Sequence, residues 1–216
     1  SVFIIVLRAH IVRVLFGTGV FGWVDTRLTA ATLAVFSISI VGQAISVLLV
    51  RAYYAAGRTK TPIIANVIGS VITIGAAILL VRLFSASAGV RGVVETAFRV
   101  EGIPGTGVLM LAVAFSFGML VNAAILYALW RKIFGMGRDV VRRAAGEAAL
   151  AALAMGGSIY GALRFFEETF NIQTFAGVLL HAAVSAAIGI AVWMSILCLL
   201  KNKELTALIA ALRRRF

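Results

Sequence analysis

The chain has 216 residues, of which 62% are hydrophobic and only 13% charged, and its mean hydropathy is +1.07. A soluble domain carries roughly 25% charged residues, and one core of this size cannot hide so much apolar surface. An ordinary soluble fold, a disordered chain and a disulfide-stapled secreted module are therefore excluded. The net charge of +12 comes from 20 Lys and Arg against 8 Asp and Glu. It gathers at the ends of apolar runs, where topology signals and lipid phosphates lie, and no aromatic-and-basic stripe points to nucleic acid.

Six apolar segments follow in chain order. The first covers Ser1 to about Phe16. At 1.5 Å per residue it measures about 24 Å, short of the roughly 30 Å of bilayer hydrocarbon. Ser1, not Met, opens straight into this run, so we expect a fragment with its first span cut short and its N-terminal portion upstream. The second segment runs from about Leu28 to Val50, with Asp25 and Thr26 as candidate caps. The third runs from about Pro62 to Val81, and Pro62 suits a first turn, where a missing N–H costs nothing.

The longest connection, Phe84–Gly105, contains a candidate short surface helix at Val93–Val100. Gly102, Pro104, Gly105 and Gly107 break the chain before the fourth segment, about Thr106 to Trp130, and Gly135 and Gly137 break it after. The fifth segment is about Ala144 to Leu163 and the sixth about Ala176 to Leu200. The runs are continuous and rich in Ala, Leu, Ile and Val, unlike the short alternating strands of a β-barrel. The expected fold is an all-α, polytopic membrane helix bundle occupying 1–200. A basic tail, 201–216, follows. Leu205, Leu208, Ile209 and Leu212 lie at i, i+3, i+4 and i+7. The tail reads either as an interfacial amphipathic helix or as a frayed, solvated end.

Charge sets the topology. Arg51, Arg58 and Lys60, then Arg131, Lys132, Arg138, Arg142 and Arg143, then Lys201, Lys203, Arg213, Arg214 and Arg215 all fall on one side. The other side's connections hold Arg27, Arg82, Arg91, Arg99 and Arg164, with Asp25, Glu95, Glu101, Glu167 and Glu168 beside them. The first side, with the C-terminus, is expected to be cytoplasmic.

Two stretches carry a resemblance to a known family. Ile11-Val-Arg-Val-Leu-Phe-Gly-Thr-Gly-Val-Phe-Gly-Trp-Val-Asp-Thr-Arg-Leu-Thr-Ala30 resembles the "IxxLLFxxGxF…DTxLTA" segment of the MurJ (MviN) lipid II flippases. Arg51-Ala-Tyr-Tyr-Ala-Ala-Gly-Arg-Thr-Lys-Thr-Pro62 resembles their "RAFYALxDTxTP" loop, with Arg58 where the family usually has an acid. Gly102-Ile-Pro-Gly105 is a weaker echo of the family's "GixG" lead into a helix. The resemblance implies the last six of fourteen spans, the C-terminal lobe of a two-lobed transporter. It implies movement of lipid II, the undecaprenyl-pyrophosphate-linked peptidoglycan precursor, across the bacterial inner membrane by alternating access, without enzymatic chemistry. The implied partners are lipid II, membrane lipids and the N-terminal lobe.

A flippase of this kind needs a hydrated cavity for pyrophosphate and sugar and an apolar groove for the prenyl tail. Gln43, Asn66 and Asn122 are the main amides inside the segments; they either line the cavity or bond neighbouring helices. Arg8, flanked by His10 and Arg13, is the local candidate for the headgroup, or else it snorkels to the interface. The resemblance makes the last two segments candidates for the tail groove. Their small residues, including Gly157-x-x-x-Gly161 and Ala183, Ala186, Ala187 and Gly189, suit either a groove or a tight helix pair. Glu147 lies one turn after Arg143 and is expected to pair with it.

No cofactor or metal is expected. Cys198 is the only cysteine, and His10 and His181 lack metal-ligand spacing. Gly17–Gly22 matches G-x-G-x-x-G but has no strand before it, so it reads as a turn. The rival functions are another exporter of the same superfamily, a structural subunit, and a membrane enzyme. The last would have to use Glu167-Glu168, the one adjacent acid pair.

Overall fold

The structure, a computed structural model, describes residues 1–17, 22–135, 138–167 and 174–200. The proposed tail, the middle of the Gly17–Gly22 turn and Glu168 lie outside these residues. The described residues form seven helices: α1 (Val2–Phe16), α2 (Trp23–Ala55), α3 (Lys60–Ala86), α4 (Ala88–Phe98), α5 (Val108–Phe134), α6 (Arg138–Phe165) and α7 (Phe175–Leu199). All but α1 and α4 contain a stretch long and apolar enough to cross a membrane. This is the expected polytopic helical bundle. The large hydrophobic side chains left exposed, such as Ile64, Val71 and Leu79 on α3, are what hydrocarbon surroundings allow.

α2, α3 and α6 outrun at both ends the apolar segments that announce them. α2 has 33 residues, about 50 Å, and extends beyond Leu28–Val50 at both ends. Asp25 and Thr26 therefore do not precede the helix. Its N-cap is Gly22, whose N–H donates to the Asp25 carboxylate at 3.0 Å, while the Thr26 hydroxyl donates back to the Gly22 carbonyl. Asp25 still stabilises the helix start, but from its first turn, where an acid also favours the helix dipole. At the other end, Gly57 takes φ +70°, which ends α2 and turns the chain towards α3. Pro62 sits in the first turn of α3, as expected. The surface helix of the long connection, α4, starts five residues earlier than Val93 because Ser87 caps it, accepting the Val90 N–H.

α5 lies between α2 and α3, packed along both, while α2 and α3 scarcely touch each other. Three glycines allow this. A Cβ on Gly42 of α2 would meet the Met119 backbone at 2.7 Å. A Cβ on Gly69 of α3 would meet the Asn122 side chain at 2.9 Å, and one on Gly118 of α5 would occupy the place of the Thr73 side chain. Two apolar clusters close the ends of this unit. Tyr53, Ala65 and Leu126 pack near the α2–α3 turn, and the Tyr53 hydroxyl donates to the Leu126 carbonyl at 3.2 Å. At the opposite end the α4 connection folds back, burying Val100 and Ile103 against Ala31, Phe84 and Leu109.

α6 and α7 pair with each other, and α1 bridges them to α2. Here the small residues divide. Gly156 approaches Val2 of α1, and Gly189 of α7 is in contact with Ile159 of α6. Gly157 and Gly161 lie on the exposed side of α6 with nothing in reach of a Cβ, so the tight-pair reading of that motif is corrected. The register of α6 turns the neighbouring Gly156 inward instead.

Gly42→Leu should force α2 from α5 and lower stability by about 1–3 kcal/mol, the usual result of overpacking. Gly157→Leu, in open space within α6, should not lower it and should raise it by up to about 1 kcal/mol through helix propensity. Thermal unfolding of the two variants in detergent checks the contrast.

Candidate functional site

Polar groups inside a membrane bundle mark either helix contacts or a pathway. The described polar groups concentrate on the α2–α5–α3 unit. Asn122, in the middle of α5, is buried, and its side-chain N–H donates to the Asn66 side-chain oxygen on α3 at 3.0 Å. The absent side chain of Gly69 makes the room for it. The Asn122 oxygen is buried without a hydrogen-bond partner. On the α2 side, the Ser116 hydroxyl donates to the Val35 carbonyl at 2.7 Å. Gln43 is exposed and donates within its own helix, to the Ser39 hydroxyl at 2.9 Å. Asn66 and Asn122 thus come together across α3 and α5, and Gln43 does not join them. Asn66 and Gln43 each keep a face open, as a cavity-lining amide requires.

Arg8 is half-buried and lines a cavity with Arg13, Arg27 and Arg99, where α1 ends and α2 begins. A separate groove of about 280 Å³ runs between α1 and α7, lined almost entirely by apolar atoms, with Leu7, Ile11, Leu179, Ala183 and Ala186 among its walls. Ala183 and Ala186 thus line an apolar groove, while Gly189 makes a close helix contact. Arg143 and Glu147 form the expected ion pair at 3.0 Å.

Sequence reasoning missed one contact. His10 and His181 lie far apart in the chain, yet their rings meet edge to face with centroids 5.1 Å apart. His181 Nε2 is 3.0 Å from the Leu163 carbonyl oxygen, so that nitrogen carries the proton and donates. One side chain thereby joins α7 to α1 and α6. A histidine in each of two apolar helices was the available signal, but pairing them needs the helix order in space. Among the described residues no three His, Cys, Asp or Glu side chains gather as metal ligands.

A family model described as lipid II flippase MurJ matches residues 1–181. The chain belongs to the MurJ family. It is a multi-pass membrane protein of a transporter family. The match takes in α1 to α6 and the first two turns of α7. No curated protein and no solved structure matches.

The two MurJ-like stretches have structural explanations. In Arg51–Pro62 the buried aromatic is Tyr53, which anchors the end of α2 on α5 beside Trp130, ring centroids 5.0 Å apart. The Arg58 N–H donates to the Tyr53 carbonyl at 2.9 Å, closing the turn, while Arg51, Arg58 and Lys60 stay exposed. Arg58 thus serves the turn through its backbone, which an acid there would do equally. In Ile11–Ala30 the Asp25 carboxylate starts α2, and Ala30 and Ala31 are small enough to be buried.

A double-mutant cycle with Asn66→Leu and Asn122→Leu should give a coupling of about 0.6 kcal/mol, and no more than about 1.7, as for other interhelical bonds in membranes. Unfolding in detergent measures it.

Proposed function

We propose that this chain is the C-terminal lobe of a lipid II flippase in the bacterial inner membrane, serving peptidoglycan synthesis. The observation that carries the reading is the match to the MurJ family over most of the chain. The spans and the open amides on α2 and α3 support it. In this reading the lobe supplies one wall of a midplane cavity, with Gln43 and Asn66 facing the sugar and peptide through hydrogen bonds; Asn122, expected to join them, is buried and instead holds Asn66 from behind. Residues 1–200 form the wall, and 201–216 form a basic tail at the cytoplasmic surface.

The prenyl tail needs an apolar surface continuous with lipid. The groove between α1 and α7 and the open face of α6 at Gly157 and Gly161 offer such surfaces. Rocking of this lobe against the N-terminal lobe would expose the cavity to each leaflet in turn. No bond is made or broken, and no catalytic residue or cofactor is assigned. Substrate shifts the balance between the two orientations by its differential affinity for them.

The transport test uses the full-length protein in vesicles. Fluorescent lipid II should cross at a rate well above that of protein-free vesicles, and an undecaprenyl-linked sugar of unrelated structure should not. Equal rates with and without protein would overturn the reading. Orientation has its own test in a Cys198→Ser background: Gly92→Cys on α4 should react with an impermeant maleimide from outside intact cells. Arg58→Cys should react only after permeabilisation.

A further inference from the structure

At the end of the bundle away from the α2–α3 turn lies a cavity of about 370 Å³ lined by four arginines from three elements. Arg8 and Arg13 come from α1, Arg27 from the start of α2, and Arg99 from the residue that ends α4. Among the described residues no acid lines the cavity. The nearby carboxylates are turned elsewhere: Asp25 accepts from the Gly22 N–H and Glu95 from the Thr106 hydroxyl. None of the four arginines forms an ion pair with a described carboxylate.

The arginines are held in place by other means. Arg13 stacks over the Trp23 ring, 4.8 Å from its centroid. Arg27 donates to the Arg99 carbonyl. Arg99 is the one described non-glycine residue with positive φ, at 57°, a conformation that L side chains avoid. These contacts engage one N–H of Arg27 and one face of Arg13. A guanidinium has five donors, so among the described residues most donors of the four arginines have no protein acceptor. Four like charges around one space repel, and Arg8 lies about 12 Å along the axis from the end of α1, where hydrocarbon raises the cost of an uncompensated charge. An anion in the cavity answers both problems.

The chemistry of the anion follows from its surroundings. Guanidinium forks match phosphate oxygens, and the cavity falls within the roughly 300–1,000 Å³ of small-ligand sites. Leu15, Phe16, Trp23 and Val24 are exposed at the same end, placing apolar surface and an interfacial tryptophan beside the charges. That combination suits a phosphate tied to acyl chains better than a free one. We propose that this cavity holds the phosphate headgroup of an anionic phospholipid, gripped by Arg8, Arg13, Arg27 and Arg99. The site is distinct from the amide pair on α3 and α5, and binding there can be read without any transport.

Native mass spectrometry of the delipidated full-length protein tests it, with phosphatidylglycerol as the probe. The variant is Arg8→Gln with Arg99→Gly, since glycine favours the positive φ while removing the guanidinium. Phosphatidylglycerol binding should weaken at least tenfold in this variant and stay unchanged in Arg142→Gln, an exposed arginine of α6. Inorganic phosphate and phosphatidylcholine should not displace the lipid from the wild-type protein. Circular dichroism and size exclusion verify folding; where the double variant fails to fold, Arg8→Gln alone should still weaken binding about threefold. Equal affinity in variant and wild type would overturn the proposal. So would displacement by inorganic phosphate at matched concentration, which would make the site one for free anions. Preferential displacement by undecaprenyl diphosphate would assign it to the transported lipid instead, again against the proposal.

Discussion

Hydrocarbon offers no hydrogen-bond partner, and this one constraint orders the structure. Every span must close its own backbone bonds, and no hydrophobic force draws one span to another, because lipid tails are as apolar as leucine. Helices then associate through close packing and a few interhelical polar bonds. α5 shows both at once. Gly42 and Gly118 let backbones and short side chains approach, and Gly69 opens the space into which Asn122 reaches to meet Asn66. The glycine and the amide act together: without the first, the second has no room, and without the second, the first leaves a void.

From that constraint follows a lobe of two unequal parts. The α2–α5–α3 unit is clasped at both ends, by Tyr53 on Leu126 and by the folded α4 connection, so its helices are fixed along their length. Among the described residues the α6–α7 pair packs against it chiefly through α1. α1 is the shortest helix but α4, yet it touches α2, α6 and α7, and both the arginine-lined cavity and the apolar groove form along it. A change of side-chain volume in α1 would therefore reach both the cavity and the groove, whereas one in α3 would reach neither.

The fold class was legible because hydropathy is a property of each segment alone. Continuous apolar runs announce spans wherever they sit, and the loop charges sort the connections to two sides. The ends were less legible. Leu28 and Val50 bound the apolar part of α2, but backbone bonding continues through polar interfacial residues until Gly22 and Gly57 stop it. Side-chain roles were least legible, because they depend on rotation about the helix axis. Gly156 and Gly157 are adjacent and identical, and 100° of rotation makes one a contact and leaves the other bare. Asn66 and Asn122 were picked out by their type, but their pairing, like that of His10 with His181, needs to know which helices are neighbours.

The same distinction separates the chain's two groups of arginines. Those at the α2–α3 turn, Arg51 and Arg58, are exposed, where water screens them and their sign alone matters for orientation. Arg8 and Arg13 are half-buried, and with the exposed Arg27 and Arg99 at its mouth they converge on one cavity although they are scattered over more than ninety positions of sequence. A loop-by-loop charge count treats Arg27 and Arg99 as minor charges on the less basic side. Folding brings them beside Arg8 and Arg13 around one cavity. A charge dispersed over loops orients a membrane protein, whereas charges converging on one half-buried cavity call for a counter-ion. What decides between these roles is whether α4 folds back to bring Arg99 against the start of α2, a contact fixed by Val100 and Ile103 in the core and by the Arg27 guanidinium on the Arg99 carbonyl.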